Sequence, residues 1–415
     1  MQTILNTDVL VLGGGVAGVS AAVAVAKAGL KVIVVERNSF LGGKATAAEV
    51  GTVCGLYKFS KNTSSEYIVK GFAKEFAEKL RIYSNTTPLQ NPEGLHYLPY
   101  NIDAFKETCS TLLADNKNIE VLYDAVLYQV ELNDSMIGSV HIDVAGKDIQ
   151  VKLKALIDTS GQSSISQLTG SPMIKSEKYQ AAAQVFTLKN VKANSEAHLS
   201  LILMKELGSA IEKKDLDDYY DRVYIVPGSL KDNCVSLKIG LPLPVTHTPE
   251  NLDALKKMAH SFVENLTDYL TGQVPAFKTA TIEHIAPEVG IRVGLRTMGK
   301  YILSDEDVLG CRKFKDAIAN AAWPIEIWEQ NKRVNMRYFG FDDFYQVPAG
   351  CLHSAVINNL IMAGRNISAT DGAIASARVM GICLQTGYAA GSLAAGYVQQ
   401  IPVADSIKNI QDAQL

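Results

Sequence analysis

A glycine-rich turn between two short apolar runs constrains the fold of this chain more than any other feature. Val9–Leu12 is a continuous β-branched and aliphatic run, as expected of a strand buried on both faces of a parallel sheet. Residues 13–18 read GGGVAG, and the small side chains of residues 19–28 then favour a helix that Gly29 ends. Residues 30–35 form a second apolar run, so this segment predicts a β-α-β unit.

The glycine spacing G-x-G-x-x-G is typical of a dinucleotide-binding turn. Gly13 permits the tight turn, Gly15 lets the backbone approach a pyrophosphate, and Gly18 lets the helix lie close to the strand. The start of the helix, at Val16 and Ala17, offers unpaired N–H groups to the phosphates.

An acidic residue follows the second strand. Glu36 stands 18 residues after Gly18, and its carboxylate would accept hydrogen bonds from a ribose hydroxyl and repel a 2′-phosphate. The spacing alone also fits a glycine turn that binds nothing. The two strands, the helix and the acid together indicate dinucleotide binding.

The next residues favour one dinucleotide by resemblance. Residues 36–46 read ERNSFLGGKAT and resemble the extension found in FAD proteins of the glutathione-reductase-like structural class, in which a glycine pair passes near the pyrophosphate and ribityl chain. The resemblance implies FAD, with contacts from Arg37, Gly42, Gly43, Lys44 and Ala45.

Two later segments fit the same class. Residues 119–126 resemble the strand whose backbone meets the adenine near Val126, and residues 155–161 resemble the strand that ends in an Ala-Thr-Gly turn. Between them, residues 130–151 alternate polar and apolar side chains around two turns, which predicts a β-meander. The resemblance implies further cofactor contacts from Thr159, Ser160 and Gly161.

The C-terminal part predicts a buried strand, a polar glycine turn and a long helix. Residues 359–372 carry the strand and the turn, with Gly364 and Arg365, and residues 373–397 are rich in Ala, Gly and Ser. We expect the helix N-terminus to direct its positive dipole at an anion such as reduced flavin, through Asp371, Gly372 and Ala373. A packed helix without a ligand is the alternative.

With these pieces the chain resembles the broad FAD-dependent oxidoreductase family. Members read Ala-Gly-Arg-x-Ile-Ser and then Arg-Val-Met near the C-terminus, as residues 363–368 and 378–380 do here, and residues 290–308 also match. Residues 326–328 read Glu-Ile-Trp where relatives often have an Asp-x-His pair, and Asp371 replaces a frequent histidine. These departures mean that the substrate class is not carried over.

The two ends of the chain carry the FAD-like segments, which predicts a discontinuous two-domain α/β protein. A chain of 415 residues suits two to three domains of about 150 residues each. We predict a three-layer, Rossmann-like FAD-binding domain with a parallel sheet from residues 1–56, 100–170 and 345–400. Residues 57–99 and 171–344 are predicted to form a mixed α+β substrate domain, with substrate bound at the domain boundary.

Four basic residues are candidates for chemistry. Arg292 and Arg296 lie four apart and would point the same way on a helix or a strand, either to clamp a substrate carboxylate or stabilise reduced flavin, or to fasten the domains through salt bridges. Arg378, past Asp371 in the predicted helix, would serve catalysis or a structural ion pair. His353 would be a general base or a hydrogen-bonded structural residue.

Other flavin chemistries lack their sequence signals. The cysteine that follows Cys54 is Cys109, so a redox dithiol is not expected, and residues 42–51 contain no histidine for covalent attachment of FAD. No second G-x-G-x-x-G is present, so electrons come from the substrate itself or from an external donor or acceptor.

We therefore predict an FAD-dependent oxidoreductase that moves a hydride between a small organic substrate and flavin N5 while a base takes the proton. An NAD(P)H-dependent flavin monooxygenase and a flavin reductase or desaturase are alternatives of the same broad class. A non-catalytic flavin- or NAD-binding module is the alternative from another class.

Charge and composition exclude several partners. The chain has 40 basic and 43 acidic residues, a net charge of −3, and no basic block for nucleic acid or an anionic membrane surface. Glycines and lysines interrupt its most apolar stretch, residues 9–35, so neither a membrane span nor a signal peptide is expected. Six scattered cysteines suit reduced thiols, and the expected location is cytoplasmic.

Overall fold

The computed structural model describes residues 3–177, 179–330 and 334–415. The strands in these ranges are β1 (Thr3–Asn6), β2 (Val9–Leu12), β3 (Val32–Val35), β4 (Thr52–Cys54), β5 (Leu89–Gln90), β6 (His96–Pro99), β7 (Ile119–Leu122), β8 (Ala125–Asn133), β9 (Met136–Val144), β10 (Lys147–Lys152), β11 (Ala155–Asp158), β12 (Met173–Ile174), β13 (Ala183–Lys189), β14 (Val223–Ile225), β15 (Val235–Gly240), β16 (Thr281–Ile285), β17 (Arg296–Thr297), β18 (Ala317–Ala321), β19 (Ile325–Ile327), β20 (Asn335–Arg337), β21 (Tyr345–Pro348) and β22 (Leu360–Met362).

The α-helices connect these strands at the edges and across the faces of the sheets. They are α1 (Val16–Lys27), α2 (Lys44–Ala47), α3 (Gly71–Ser84), α4 (Ile102–Ala114), α5 (Ser164–Thr169), α6 (Glu196–Glu212), α7 (Pro249–Gln273), α8 (Asp305–Leu309), α9 (Asp371–Ala377), α10 (Met380–Val398) and α11 (Val403–Gln414). None of the helices in the described ranges is long and apolar enough to cross a membrane.

A five-stranded parallel sheet in the order β22-β11-β2-β3-β7 forms the centre of the first domain. Every residue of β2, β3 and β11 is buried, as the unbroken Val, Ile and Leu runs of β2 and β3 predicted; β11 also buries the side chain of Asp158. The predicted β-α-β unit and the Rossmann-like fold class are thereby confirmed. The predicted strand over 119–126 is two strands, because Asp124 turns the chain with φ 49° between β7 and β8.

Two layers cover this sheet. On one face α1 lies against α10, where the Ser20 hydroxyl donates to the Leu384 carbonyl at 2.6 Å and a Cβ at Gly387 would lie 2.2 Å from the Ala17 carbonyl oxygen. The other face packs against the predicted meander β8-β9-β10, whose Ile137, Val140 and Ile142 share an apolar cluster with the central strands. The result is the predicted three-layer domain.

An antiparallel sheet in the order β14-β15-β13-β16 forms the second domain. Helices α6 and α7 cover one face through a cluster that includes Leu203 and Leu266. In β15, Val235, Leu237 and Ile239 are buried in that cluster. The alternate residues Ser236 and Lys238 therefore point away from the helices.

The largest hydrophobic cluster joins residues 57–99 to the parallel sheet. Residues of 57–99 share the large core cluster with β2 and α1, because the apolar face of α3 packs on the first domain: Phe72 stacks on Tyr388 at 5.8 Å, and Phe76 meets Phe105 at 5.4 Å between ring centroids. Residues of β18 and β21 belong to the same cluster. The clusters of the second domain draw their buried residues from between Ala182 and Ile291.

Candidate active site

A cavity of about 410 Å³ connects the two domains. Its lining includes Leu12 and Val35, at the carboxyl ends of β2 and β3, where ligands bind in open α/β sheets. It also includes Val185 and Lys238, from β13 and β15 of the second domain. The domain boundary and the nucleotide-binding edge of the parallel sheet therefore share one cavity.

Most of the residues predicted to contact the cofactor line this cavity. They are Gly13, Gly15, Val16, Ala17, Glu36, Arg37, Gly42, Gly43, Lys44, Ala45, Val126, Thr159, Ser160, Gly161, Gly364 and Arg365. Gly18 lies behind the turn, where a Cβ would be 1.8 Å from the Gly13 carbonyl oxygen, so its role is close packing. Asp371, Gly372 and Ala373 are not part of the lining.

The turn before α1 presents an open helix N-terminus to the cavity. Gly13 has φ +104°, and Thr159 holds the turn by donating its hydroxyl to the carbonyl oxygens of Leu12 and Gly13, each at 2.8 Å. Gly15 is the N-cap, and no side chain caps the helix. The first N–H groups of α1 are thus available to an anion, as a pyrophosphate site requires.

Glu36 follows β3 at the edge of the same cavity. Its carboxylate accepts hydrogen bonds from the backbone N–H groups of Gly14 at 2.7 Å and Asn38 at 2.9 Å. Burial raises the pKa of Glu36, and these two N–H donors oppose the shift. Each carboxylate oxygen keeps a lone pair for a ribose hydroxyl.

A carboxylate of the second domain holds the glycine-pair loop. Glu288 accepts from Lys44 and from Arg37, each at 2.6 Å. Burial acts to raise the pKa of Glu288, but the positive charges of Lys44 and Arg37 outweigh it and hold the pKa below its usual range. Burial lowers the pKa of Lys44 to about 8. Glu288 thus anchors Lys44 and Arg37, which both line the cavity.

The predicted long C-terminal helix is two helices. The chain is extended at Val379, which caps α10 with ψ 151°, and Val379 and Met380 line the cavity. The N-terminus of α9 is already satisfied, because an Asp305 oxygen accepts from the Thr370 hydroxyl at 2.6 Å and from the Ala373 N–H at 3.0 Å. The helix dipole that faces the cavity is therefore that of α10, and residues 371–373 lie outside the lining.

The paired arginines do not act together. Residues 291–295 form neither helix nor strand, so the expected alignment of Arg292 with Arg296 does not arise. Arg292 lines the cavity, donates to the Ala181 carbonyl and lies 4.3 Å from the ring centroid of Trp328. Arg296 is fully buried outside the lining and pairs with Asp371 at 2.6 Å.

Asp371 is therefore expected to stabilise the fold rather than to bind the cofactor. Removing one partner of a buried ion pair costs about 3–5 kcal/mol, which we reduce to about 2 kcal/mol for Asp371→Ala because half of the Asp371 side chain is exposed. Chemical denaturation measures this loss, and FAD retention should stay at the wild-type level. Glu75→Ala, which breaks the exposed pair with Lys27, is the control and should cost about 0–1 kcal/mol. Loss of FAD at unchanged stability would contradict this assignment.

His353 lies away from the cavity. Its backbone forms an isolated antiparallel β-bridge with Ile361 of β22, and His353 is not part of the lining. Burial lowers the pKa of His353 to about 4, with the charge of Lys300 adding to the effect, so the ring is neutral at pH 7. The structure thus separates His353 from the place where a general base would act.

Cys54 lines the cavity as a neutral thiol. Burial raises its pKa to about 12, and the charge of Glu326 adds to the shift. We expect Cys54→Ser to retain flavin reduction within about threefold of wild type, since an un-ionised thiol is a poor nucleophile. Complete loss of flavin reduction in the variant would indicate that the Cys54 thiol takes part in the reaction.

Sequence reasoning missed the charged end of the cavity. Lys238, Glu326 and Trp328 all line it, together with Arg378. Arg378 pairs with Glu326 at 3.7 Å rather than with Asp371. The alternation of apolar and polar residues in β15 could have indicated Lys238. The departure of residues 326–328 from the family pattern could have indicated Glu326 and Trp328.

FAD fits this lining. The Gly15 backbone leaves a gap in which an added Cβ would meet only the Cα of Gly43, at 3.7 Å, while the uncapped α1 terminus, Arg37, Lys44 and Arg365 suit a pyrophosphate. Glu36 suits a ribose. The fold and the cavity define a Rossmann-type FAD-binding protein.

The chain belongs to the FAD dependent oxidoreductase family, whose model matches residues 8–411. No curated protein matches it in sequence. Among solved structures, a geranylgeranyl bacteriochlorophyll reductase-like protein from Thermoplasma acidophilum has 14% identity and TM-score 0.47, over 99% of this chain and 83% of that one. The p-nitrophenol 4-monooxygenase of Pseudomonas putida has 12% identity and TM-score 0.46, over 99% and 84%. FAD is the cofactor that the family implies.

Proposed function

We propose that this protein oxidises or reduces a small organic substrate by hydride transfer to or from non-covalently bound FAD. The observation that carries the proposal is the shared cavity, in which the nucleotide-binding loops and a charged pocket beneath the second domain line the same space. Bound FAD supplies a two-electron acceptor or donor for such chemistry. The protein has to position the substrate and to handle the accompanying proton.

Glu326 is our candidate for the proton acceptor. Its side chain lines the charged end of the cavity, accepts a hydrogen bond from the Trp323 indole at 3.2 Å and lies 3.7 Å from Arg378. Both contacts are made to the same carboxylate oxygen, Oε2. A carboxylate held in this way can take a proton from a substrate hydroxyl or amine as the adjacent C–H bond is broken.

Non-covalent attachment is supported by the state of the cavity thiols. Burial raises the pKa of Cys383 to about 12, as it does for Cys54, so both stay protonated at neutral pH. A protonated thiol attacks a flavin ring poorly. We therefore expect acid precipitation to release FAD into the supernatant.

Anaerobic reduction of the purified holoenzyme tests the proposal. Candidate alcohols, amines and organic acids are added one at a time, and NADPH is added in a separate arm. We expect one of the organic substrates to bleach the visible absorbance of oxidised flavin without NADPH. Reduction by NADPH alone, with oxygen-dependent hydroxylation of the substrate, would overturn it in favour of a monooxygenase.

A further inference from the structure

The charged end of the cavity holds more positive than negative charge. Lys238, Arg292 and Arg378 line it, and Glu326 is the carboxylate among them. The nucleotide-binding loops carry three further cations, Arg37, Lys44 and Arg365. Glu288 and the pyrophosphate that this part of the cavity suits would balance their charge. Among the residues that the structure describes, three cations and one carboxylate leave a formal excess of two positive charges beside Glu326.

Trp328 organises two of these cations. The Lys238 ammonium lies 4.7 Å and the Arg292 guanidinium 4.3 Å from the ring centroid of Trp328. Glu326 and Trp328 are two residues apart on or beside β19 and both line the cavity. The Trp328 ring therefore holds both cations; Arg292 also donates to the Ala181 carbonyl, whereas the Lys238 ammonium keeps its N–H groups for another partner.

The described residues use only part of the hydrogen-bonding capacity of the cluster, since Arg292 donates to the Ala181 carbonyl while other donors have no acceptor. In the described ranges no hydrogen bond or ion pair involves the Lys238 ammonium, and Nε of Arg378 is buried without a partner. Nη2 of Arg378 donates to the Gln180 side-chain oxygen and to the Glu326 backbone carbonyl, each at 3.4 Å, and lies 3.7 Å from the Glu326 carboxylate. Polar donors without acceptors are costly, so the Lys238 ammonium and Nε of Arg378 suit an anion that the described residues do not supply.

The neighbouring walls are apolar. Val185, Ile225, Val226 and Pro227 line the cavity next to Trp328 and Lys238. This combination suits a ligand with an apolar body and one anionic group.

We infer that the substrate of this site is an organic carboxylate, with Lys238, Arg292 and Arg378 binding the carboxylate and the apolar wall binding the rest of the molecule. The inference rests on the proposed function, since the ligand is the substrate of that reaction. Planar guanidinium groups suit a carboxylate, and Glu326 stays available for proton transfer.

The protonation of Lys238 gives the site a pH dependence. Burial lowers the pKa of Lys238 to about 8, and Arg292 and Arg378 lower it further while Glu326 and Cys54 oppose them. Tyr224 and Trp328 face the same ammonium as uncharged rings. The ammonium is present below this pKa, so carboxylate affinity should be highest below pH 8 and should fall as the pH rises through it.

Ligand binding to the holoenzyme tests the inference directly. Benzoate and hexanoate are titrated against benzamide and hexanamide, with the flavin visible spectrum and calorimetry as readouts. Each acid should bind about 10- to 100-fold more tightly than its amide at pH 7. Lys238→Met should remove most of this preference, and Lys238→Arg should remove the pH dependence. Lys189→Met, on the exposed edge of the same domain, is the matched control and should bind as wild type.

Equal affinity for acid and amide, no acid binding at all, or an unchanged preference in Lys238→Met would overturn the inference. So would a lowered flavin midpoint potential in Lys238→Met with unchanged benzoate affinity, because the lysine would then serve the cofactor. The proposed function fails separately. If a neutral substrate reduces the flavin and no carboxylate binds, the carboxylate site is overturned and the proposed function stands. If carboxylates bind but no substrate reduces the flavin, the proposed function is overturned and the carboxylate site stands.

Discussion

Gly15→Val is expected to give a folded protein that does not retain FAD. Gly15 has φ −71°, which any residue adopts, and an added Cβ would meet only the Cα of Gly43, at 3.7 Å. The fold should therefore tolerate the side chain. The methyl groups would fill the gap beside the open N-terminus of α1, where the pyrophosphate is expected.

The expected loss of FAD affinity follows from the steric cost of overpacking. A steric conflict of about 1–3 kcal/mol corresponds to a Kd for FAD raised about 5- to 150-fold, which dialysis and flavin absorbance would show as loss of the cofactor. The free energy of unfolding of the apoprotein should stay within about 1 kcal/mol of wild type.

Two glycine variants separate binding from folding. Gly18→Val should disrupt the fold itself, because a Cβ there would lie 1.8 Å from the Gly13 carbonyl oxygen. Gly208→Val, on α6, has open space around the position and should leave both folding and FAD retention unchanged. Retention of FAD by Gly15→Val at the wild-type level would remove Gly15 from the pyrophosphate site.

Glu326→Gln is expected to slow flavin reduction by substrate about 10²- to 10⁴-fold, the usual contribution of a general base. The amide oxygen can still accept from the Trp323 indole, so the local structure should persist. Single-turnover mixing of substrate with the holoenzyme measures the rate. FAD retention should be unaffected.

The control for this variant is another glutamate of the chain. Glu264→Gln, on the exposed face of α7, changes the net charge equally without touching the cavity and should keep the wild-type rate. If Glu326→Gln reduces flavin as fast as this control, the proton acceptor is another group.

The nucleotide-binding half of the site was predictable because its signals are local. One short segment holds both strands, the glycine turn and Glu36, and its contacts arise within the β-α-β unit. The family resemblance then supplied the glycine-pair loop and the turn at Thr159, which the structure brings to the same cavity.

The substrate half depends on contacts between distant residues. Alternation in β15 shows two faces, but only the packing of α6 and α7 decides that Lys238 faces the cavity. The sequence could not show that Asp305 satisfies the N-terminus of α9, because Asp305 is far away in sequence. Arg296 could not be separated from Arg292 without knowing that residues 291–295 are irregular.

The most direct measurement of hydride transfer in this cavity is the rate of anaerobic flavin bleaching with a deuterated substrate. The experiment uses the first organic acid that reduces the holoenzyme, with deuterium at the carbon that is oxidised, at saturating concentration in a single turnover. We expect deuteration to slow the bleaching several-fold, without any requirement for NADPH. Bleaching that occurs only with NADPH, or at the same rate for both isotopes, would contradict direct hydride transfer from substrate to FAD.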